Sequence, residues 1–151
     1  MTYEFTPEIE AKLIEYGWHP SRFTNNSKTL SIWKNEGYDI FQEGLNFINS
    51  FNGIILKHSS RSGEFEDESC FDGALAAEGF DRLWAIEVYE PIIGKKLLPI
   101  GQGYSRHLTY LISEDGAIYG GYDDFLCQIG INAIKAIENI ILNHEFTVLN
   151  S

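Results

Sequence analysis

LTYLISEDGAIYGGY, residues 108–122, decides the fold. Leu108, Tyr110 and Ile112 alternate with Thr109 and Leu111, the period of two that sends successive side chains to opposite faces of a strand. Glu114-Asp115-Gly116 interrupts the run with a hairpin-turn signal. Ala117–Tyr122 returns as the partner strand, loosened at its end by Gly120-Gly121. Upstream, Leu97–Ile100 reads as a further strand. Pro99 marks an edge or a bulge there, because proline has no N–H to give to a ladder. Downstream, Asn132–Asn143 carries Ile134, Ile137 and Ile141 on one helical face.

The N-terminal half is helical in pattern. Thr6-Pro7 opens a first helix, with Thr6 as N-cap and Pro7 where a missing N–H does no harm. Ile9, Leu13 and Tyr16 form its apolar face and Gly17 stops it. Ser27–Lys34 suits either a short helix carrying Leu30 and Trp33 or an extended piece. Asp39 and Gln42 have capping-box spacing ahead of the stripe Phe41, Leu45 and Ile48, and Asn52-Gly53 ends that helix. Ile54–Lys57 then reads as a buried strand and Glu64–Phe71 as its return. Ala74–Ala77 makes one helical turn. Asp81 caps a helix through Trp84 and Val88, which Pro91 kinks or ends. Helices, then strands, then a helix give an α+β domain with an antiparallel sheet, a single domain over residues 1–151.

Composition narrows the function. Twenty-two acidic residues stand against 11 basic ones, a net charge of −11 that repels phosphate backbones and anionic lipid and favours a cationic partner. No apolar run approaches the roughly 18 residues that span a bilayer. The N-terminus has neither a basic nor an apolar leader region, which points to the cytoplasm. Cys70 and Cys127 are too few for a disulfide framework and read as reduced thiols.

Sites for chemistry are few. His19, His58, His107 and His144 are scattered, with none at metal-ligand spacing from another His or Cys. Glu64-Phe65-Glu66-Asp67-Glu68 lacks the alternating ligands and central Gly of a calcium loop. Gly101-Gln102-Gly103 has Arg106 where a dinucleotide fingerprint needs its third Gly. Ser105 lacks the closing Gly of a nucleophile elbow and reads as a loop serine. Two carboxylate pairs stay open as acid–base candidates: Glu87 with Glu90, at spacing three on a helix, and Asp123-Asp124 after the hairpin. In Gly17-Trp18-His19-Pro20-Ser21-Arg22 the aromatic folds back on the core, Pro20 stiffens the turn and the planar fork of Arg22 clamps a carbonyl or carboxylate.

These phrases form an ordered series. Gly17 to Arg22 is followed by Gly37-Tyr38, Phe47-Ile48-Asn49-Ser50-Phe51-Asn52-Gly53, Leu98-Pro99-Ile100-Gly101, Asp115-Gly116-Ala117-Ile118-Tyr119, and Gly130 before the closing helix. The series resembles the SUKH superfamily, most closely its third family, from about Ile9 to Leu142. The resemblance implies an α+β fold with a strongly bent antiparallel sheet and flanking helices. It also implies an immunity protein that binds a cognate polymorphic toxin in the bacterial cytoplasm and blocks it. No catalytic residue and no cofactor carry over. Trp18, Pro20, Arg22, Gly53, Pro99, Gly101, Gly116 and Tyr119 carry over as determinants of the fold. The chain departs from the pattern at Asn52, where many relatives have a second Gly, and at Pro91, late in the helix before Gly94.

The expected partner is a basic protein toxin, a nuclease or another that targets nucleic acid, blocked by occlusion. The expected contact surface is Glu64, Glu66, Asp67, Glu68, Asp123 and Asp124, with Tyr104 and Tyr122 as aromatic anchors. The run 64–68 is the densest acidic segment, and Asp123-Asp124 closes a strand. Direct nucleic-acid or membrane binding is not expected. The rival readings are a general protein-interaction module without a toxin partner and a small enzyme using a carboxylate pair.

Overall fold

The computed structural model describes residues 3–151. Three helices come first: α1 (Pro7–Glu15), α2 (Ser27–Asn35) and α3 (Gln42–Phe51). The hairpin of β1 (Ile54–Ser59) and β2 (Glu66–Phe71) leads to α4 (Gly73–Gly79). A π-helical segment, Trp84–Tyr89, runs into α5 (Glu90–Ile93). Strands β3 (Leu97–Gly103), β4 (Leu108–Ser113), β5 (Ile118–Tyr122) and β6 (Phe125–Gly130) follow, then α6 (Ala133–Ile141) and β7 (Thr147–Asn150). All seven strands form one antiparallel sheet in chain order, β1 to β7.

The sheet is irregular where it matters. β2 meets β3 through only two residue pairs, Ser69 with Gly103 and Cys70 with Gln102. The register also slips between Pro99 and Gly101, between Ile118 and Tyr119, and between Leu126 and Cys127. An extra residue on one strand bends it and increases its twist. Pro99 therefore sits beside a bulge inside a central strand, not on an edge.

Helices cover both faces, so β4 is buried along nearly its whole length instead of alternating with solvent. One core gathers Trp18, Trp33, Phe47, Phe51, Phe71, Tyr110, Ile112 and Ile137 beneath the N-terminal helices and α6. On the other, Leu97, Leu111, Tyr119 and Leu126 pack with Ala85 and Tyr89 of the π-helical segment. Within the first core Trp18, 2% exposed, stacks on Phe51 at 5.7 Å between ring centroids and donates to Ser50 Oγ at 2.9 Å. Arg22 donates to the carbonyls of Ser50 at 2.8 Å and Asn52 at 2.6 Å, clamping the otherwise unpaired C-terminal end of α3. Trp33 donates to the Pro99 carbonyl at 3.0 Å and ties α2 to β3.

Of the two alternatives for Ser27–Lys34 the chain takes the helix, Ser27–Asn35, with Thr29 and Trp33 buried. Other expectations are corrected. Asp39 does not cap α3: Phe41 holds the N-cap position, and the Asp39 carboxylate pairs with Lys96. Pro91 does not end the helical run, which continues through it to Ile93. The chain takes the wider π register over Trp84–Tyr89, and Pro91 enters in the first turn of α5, where a missing N–H costs little. Asn52 has a role that a Gly could not fill: its Oδ1 accepts from the Gly73 N–H at 2.9 Å, at the start of α4. Gly53 and Gly116 take left-handed backbone, φ +94° and +90°, as the helix end and the hairpin turn require. Strands β6 and β7 have no counterpart in the sequence reading.

Candidate partner-binding surface

The acidic run sits at the far end of the β1–β2 hairpin and divides by role. Glu68 faces Lys57 across the hairpin in a 2.7 Å ion pair. Glu64 and Glu66 line an open hollow of about 460 Å³ together with Lys12, Lys57, Phe65 and Ile141. Asp67 turns to its own chain: Oδ1 accepts from the Glu68 N–H at 2.8 Å and from the Ser105 N–H at 3.0 Å.

That second bond has a local purpose. Tyr104, Ser105 and Arg106 are three consecutive non-glycine residues in left-handed backbone, φ +56°, +60° and +64°. Each such residue costs about 1–2 kcal/mol, and such a turn persists only where its surroundings over-determine it. The Asp67 carboxylate and a bond from the Tyr104 N–H to the Glu68 carbonyl, 3.1 Å, hold it. The turn aims the Tyr104 ring inward, 5.0 Å from His58 and 6.1 Å from Phe146. Tyr104 is only 9% exposed, whereas Tyr122 is 53% exposed.

Both tyrosines line one groove of about 440 Å³ with Arg61, His107, Leu108, Phe125, Cys127 and Phe146. Its lining is mostly carbon. Arg61 is committed within the chain: it donates to Asn143 Oδ1 and the His144 carbonyl, both at 2.9 Å, and lies 3.8 Å from the Phe146 ring centre. Burial pushes the Cys127 thiol up to about 11, which leaves it protonated and inert. A second hollow, about 300 Å³, shares His107 and Tyr122 with the groove and adds Trp84, Arg106 and Asp123.

Asp123 and Asp124 form the β5–β6 turn. Their backbone carbonyls are taken by the Tyr89 hydroxyl and, at 2.6 Å, by Asn150 Nδ2. Their carboxylates have no ion-pair partner among the described residues. Of the eight residues expected at the contact surface, Tyr104, Tyr122 and Asp123 thus converge on the groove and the hollow beside it. Glu64 and Glu66 line another hollow, Glu68 is paired and Asp67 braces the turn between them. Sequence reasoning missed Arg61, His107, Leu108, Phe125 and Phe146. Phe125–Ile129, a short apolar run bounded by Asp123-Asp124 and Gly130, was the available signal for β6 and so for Phe125.

Of the two acid–base pairs, Glu87 and Glu90 are separated. Glu90 lines a hollow with Tyr38, Arg82 and Lys96, where burial raises its carboxyl above the usual range and its Oε2 accepts from the Leu97 N–H at 3.1 Å. Glu87 lines a different hollow with Asp81, Leu83, Trp84 and Val88. The π register destroys the common face that spacing three gives in an α-helix. A buried chain, His58–Ser69–Tyr110, links β1, β2 and β4 through contacts of 2.7 and 2.6 Å. His58 Nδ1 lies 2.8 Å from the Ser59 carbonyl, which only accepts, so Nδ1 carries the proton and Nε2 accepts from Ser69. Ser69 and Tyr110 are fully buried, so this chain braces strands, while His58 lines the hollow that also holds Glu64 and Glu66. Among the described residues no three His, Cys, Asp or Glu side chains are placed to hold a metal ion, and no helix is long and apolar enough to cross a membrane.

No curated protein and no solved structure matches the chain. One family model, described as SUKH-3 immunity protein, matches residues 5–143. That span runs from Phe5, packed edge-on against Trp18, to Asn143, just past α6, and holds every phrase of the ordered series. The chain belongs to the SUKH-3 immunity protein family.

Proposed function

We propose that this chain binds a cognate polymorphic toxin in the bacterial cytoplasm, a basic nuclease or another toxin aimed at nucleic acid, and blocks it by occlusion. Membership of an immunity-protein family over residues 5–143 carries the reading, since it implies immunity to a toxin. The excess of acidic residues, 22 against 11 basic, extends it to a basic partner. Carboxylates on Glu64, Glu66, Asp123 and Asp124 meet the toxin's cationic face, speeding encounter and setting specificity. Tyr122 and the apolar groove beside it supply the desolvated contact that dominates affinity. The chain does no chemistry of its own in this role: it covers the surface on which the toxin binds nucleic acid.

The test is co-expression with the toxin encoded by the neighbouring gene, followed by titration of the purified pair. Survival of the cells and a stable complex with suppressed toxin activity are expected. Replacing Glu64, Glu66, Asp123 and Asp124 together by Lys should weaken the complex at least tenfold. Unchanged affinity would remove this surface from the interface. A chain that leaves the toxin active, and binds only other cellular proteins, is a general interaction module instead.

A further inference from the structure

We propose that the groove between the β3–β4 turn and the β5–β6 turn is a receptor for one segment of the toxin, an aromatic or large aliphatic side chain with a Lys or Arg beside it. The inference rests on the immunity reading and adds what the partner must present. Here the chain supplies the socket, and the toxin supplies the anchor.

The groove is where the main core opens to solvent. Tyr104 and Cys127 belong to that core, and Leu108, Phe125 and Phe146 pack half-buried against it. At about 440 Å³ it lies within the range of roughly 300–1,000 Å³ in which pockets hold compact apolar groups. One wall is the left-handed turn Tyr104–Arg106, whose backbone strain is held by Asp67. A wall fixed before the partner arrives loses little freedom on binding.

Charge selects the occupant. Asp123 and Asp124 lie between Tyr122 and Phe125 in the chain and form no ion pair among the described residues, and Asp123 lines the hollow next to the groove, which Arg106 also lines. An incoming segment is thereby oriented, with its cation towards the β5–β6 turn. The same carboxylates repel the phosphates of a nucleotide, and a net charge of −11 opposes a second copy of the chain.

The probe is the toxin that co-purifies with the tagged chain from its native cells, titrated calorimetrically against the wild-type chain, Tyr122→Ala, His107→Trp and the pair Asp123→Asn with Asp124→Asn. Tyr122 and His107 are exposed, and Asn tolerates the left-handed backbone of Asp123, so melting temperatures should match the wild type. Opening the groove with Tyr122→Ala, or filling it with His107→Trp, should each raise Kd at least tenfold. The Asn pair should raise it less and flatten its dependence on salt. Tight binding left unchanged by both groove variants would overturn the receptor while leaving the immunity reading intact. Failure of the wild-type chain to bind would overturn both. A dimer of this chain that Tyr122→Ala dissolves would assign the groove to a second copy and also overturn the proposal.

Discussion

Arg22 joins two segments that the chain separates by some thirty residues. Its fork reaches the Ser50 and Asn52 carbonyls, where α3 has run out of donors. Arg22→Ala should cost about 2–3 kcal/mol, the loss of hydrogen bonds to a charged group that leaves partly buried carbonyls unpaired. Arg22→Lys should recover less than half, because a single ammonium cannot reproduce the fork. Urea denaturation midpoints check both. Trp18 and Arg22 were legible in sequence because a helix-stopping Gly, a large aromatic and a planar cation within six residues have few uses besides packing and clamping. The His58–Ser69–Tyr110 chain was not legible, since it exists only once β1, β2 and β4 lie in register. Burial pulls the His58 pKa below its ordinary 6.5; the Ser59 carbonyl, Asp67 and Glu68 oppose that pull and Arg61 reinforces it. The folded state thus binds fewer protons than the unfolded chain in this range. Stability from neutral His58 is full above pH 6.5 and is lost as pH falls from there towards the lower folded value, at no more than about 1.4 kcal/mol per pH unit. His58→Gln should remove that slope, as read by denaturation at a series of pH values.

Elements show where local pattern and tertiary context part. The β4–β5 hairpin was plain because alternation, turn chemistry and burial agree. Asp39 looked like a cap two residues early, and its carboxylate went to Lys96 instead. Pro91 looked like a break, and a preceding π turn absorbed it. Strand β6 lacks alternation because Leu126, Cys127 and Ile129 are buried on both faces, and β7 is four largely exposed residues with no period. The joint between β6 and α6 is packed closely against backbone. A Cβ on Gly130 would lie 2.3 Å from the Ala136 backbone nitrogen, which cannot rotate away. Gly130→Ala should therefore lift α6 from the sheet and cost about 3 kcal/mol, visible as a lowered melting temperature. Asn132, which caps α6 through the Lys135 N–H at 2.8 Å, gives a smaller effect at the same joint. Asn132→Ala should cost about 1 kcal/mol.

At the scale of the whole molecule, acidic residues outnumber basic ones by 22 to 11, and Asp123 stands in the hollow beside the groove. Fold class was legible from periodicity and charge sign from composition. The socket was not, because it is assembled from the β1–β2 turn, three strands and the segment after α6. A partner of opposite charge should associate more slowly as salt rises. Between about 50 and 500 mM salt the association rate should fall roughly tenfold or more while dissociation changes little; stopped-flow mixing with the co-purifying toxin reads both.

Strand order that repeats chain order carries a consequence for synthesis. Each strand pairs with the one made just before it, so no strand has to be threaded between two already joined. Four of the six closures, β1–β2, β3–β4, β4–β5 and β5–β6, span short turns and cost little entropy while the ribosome is still at work, whereas β2–β3 and β6–β7 close over intervening helices.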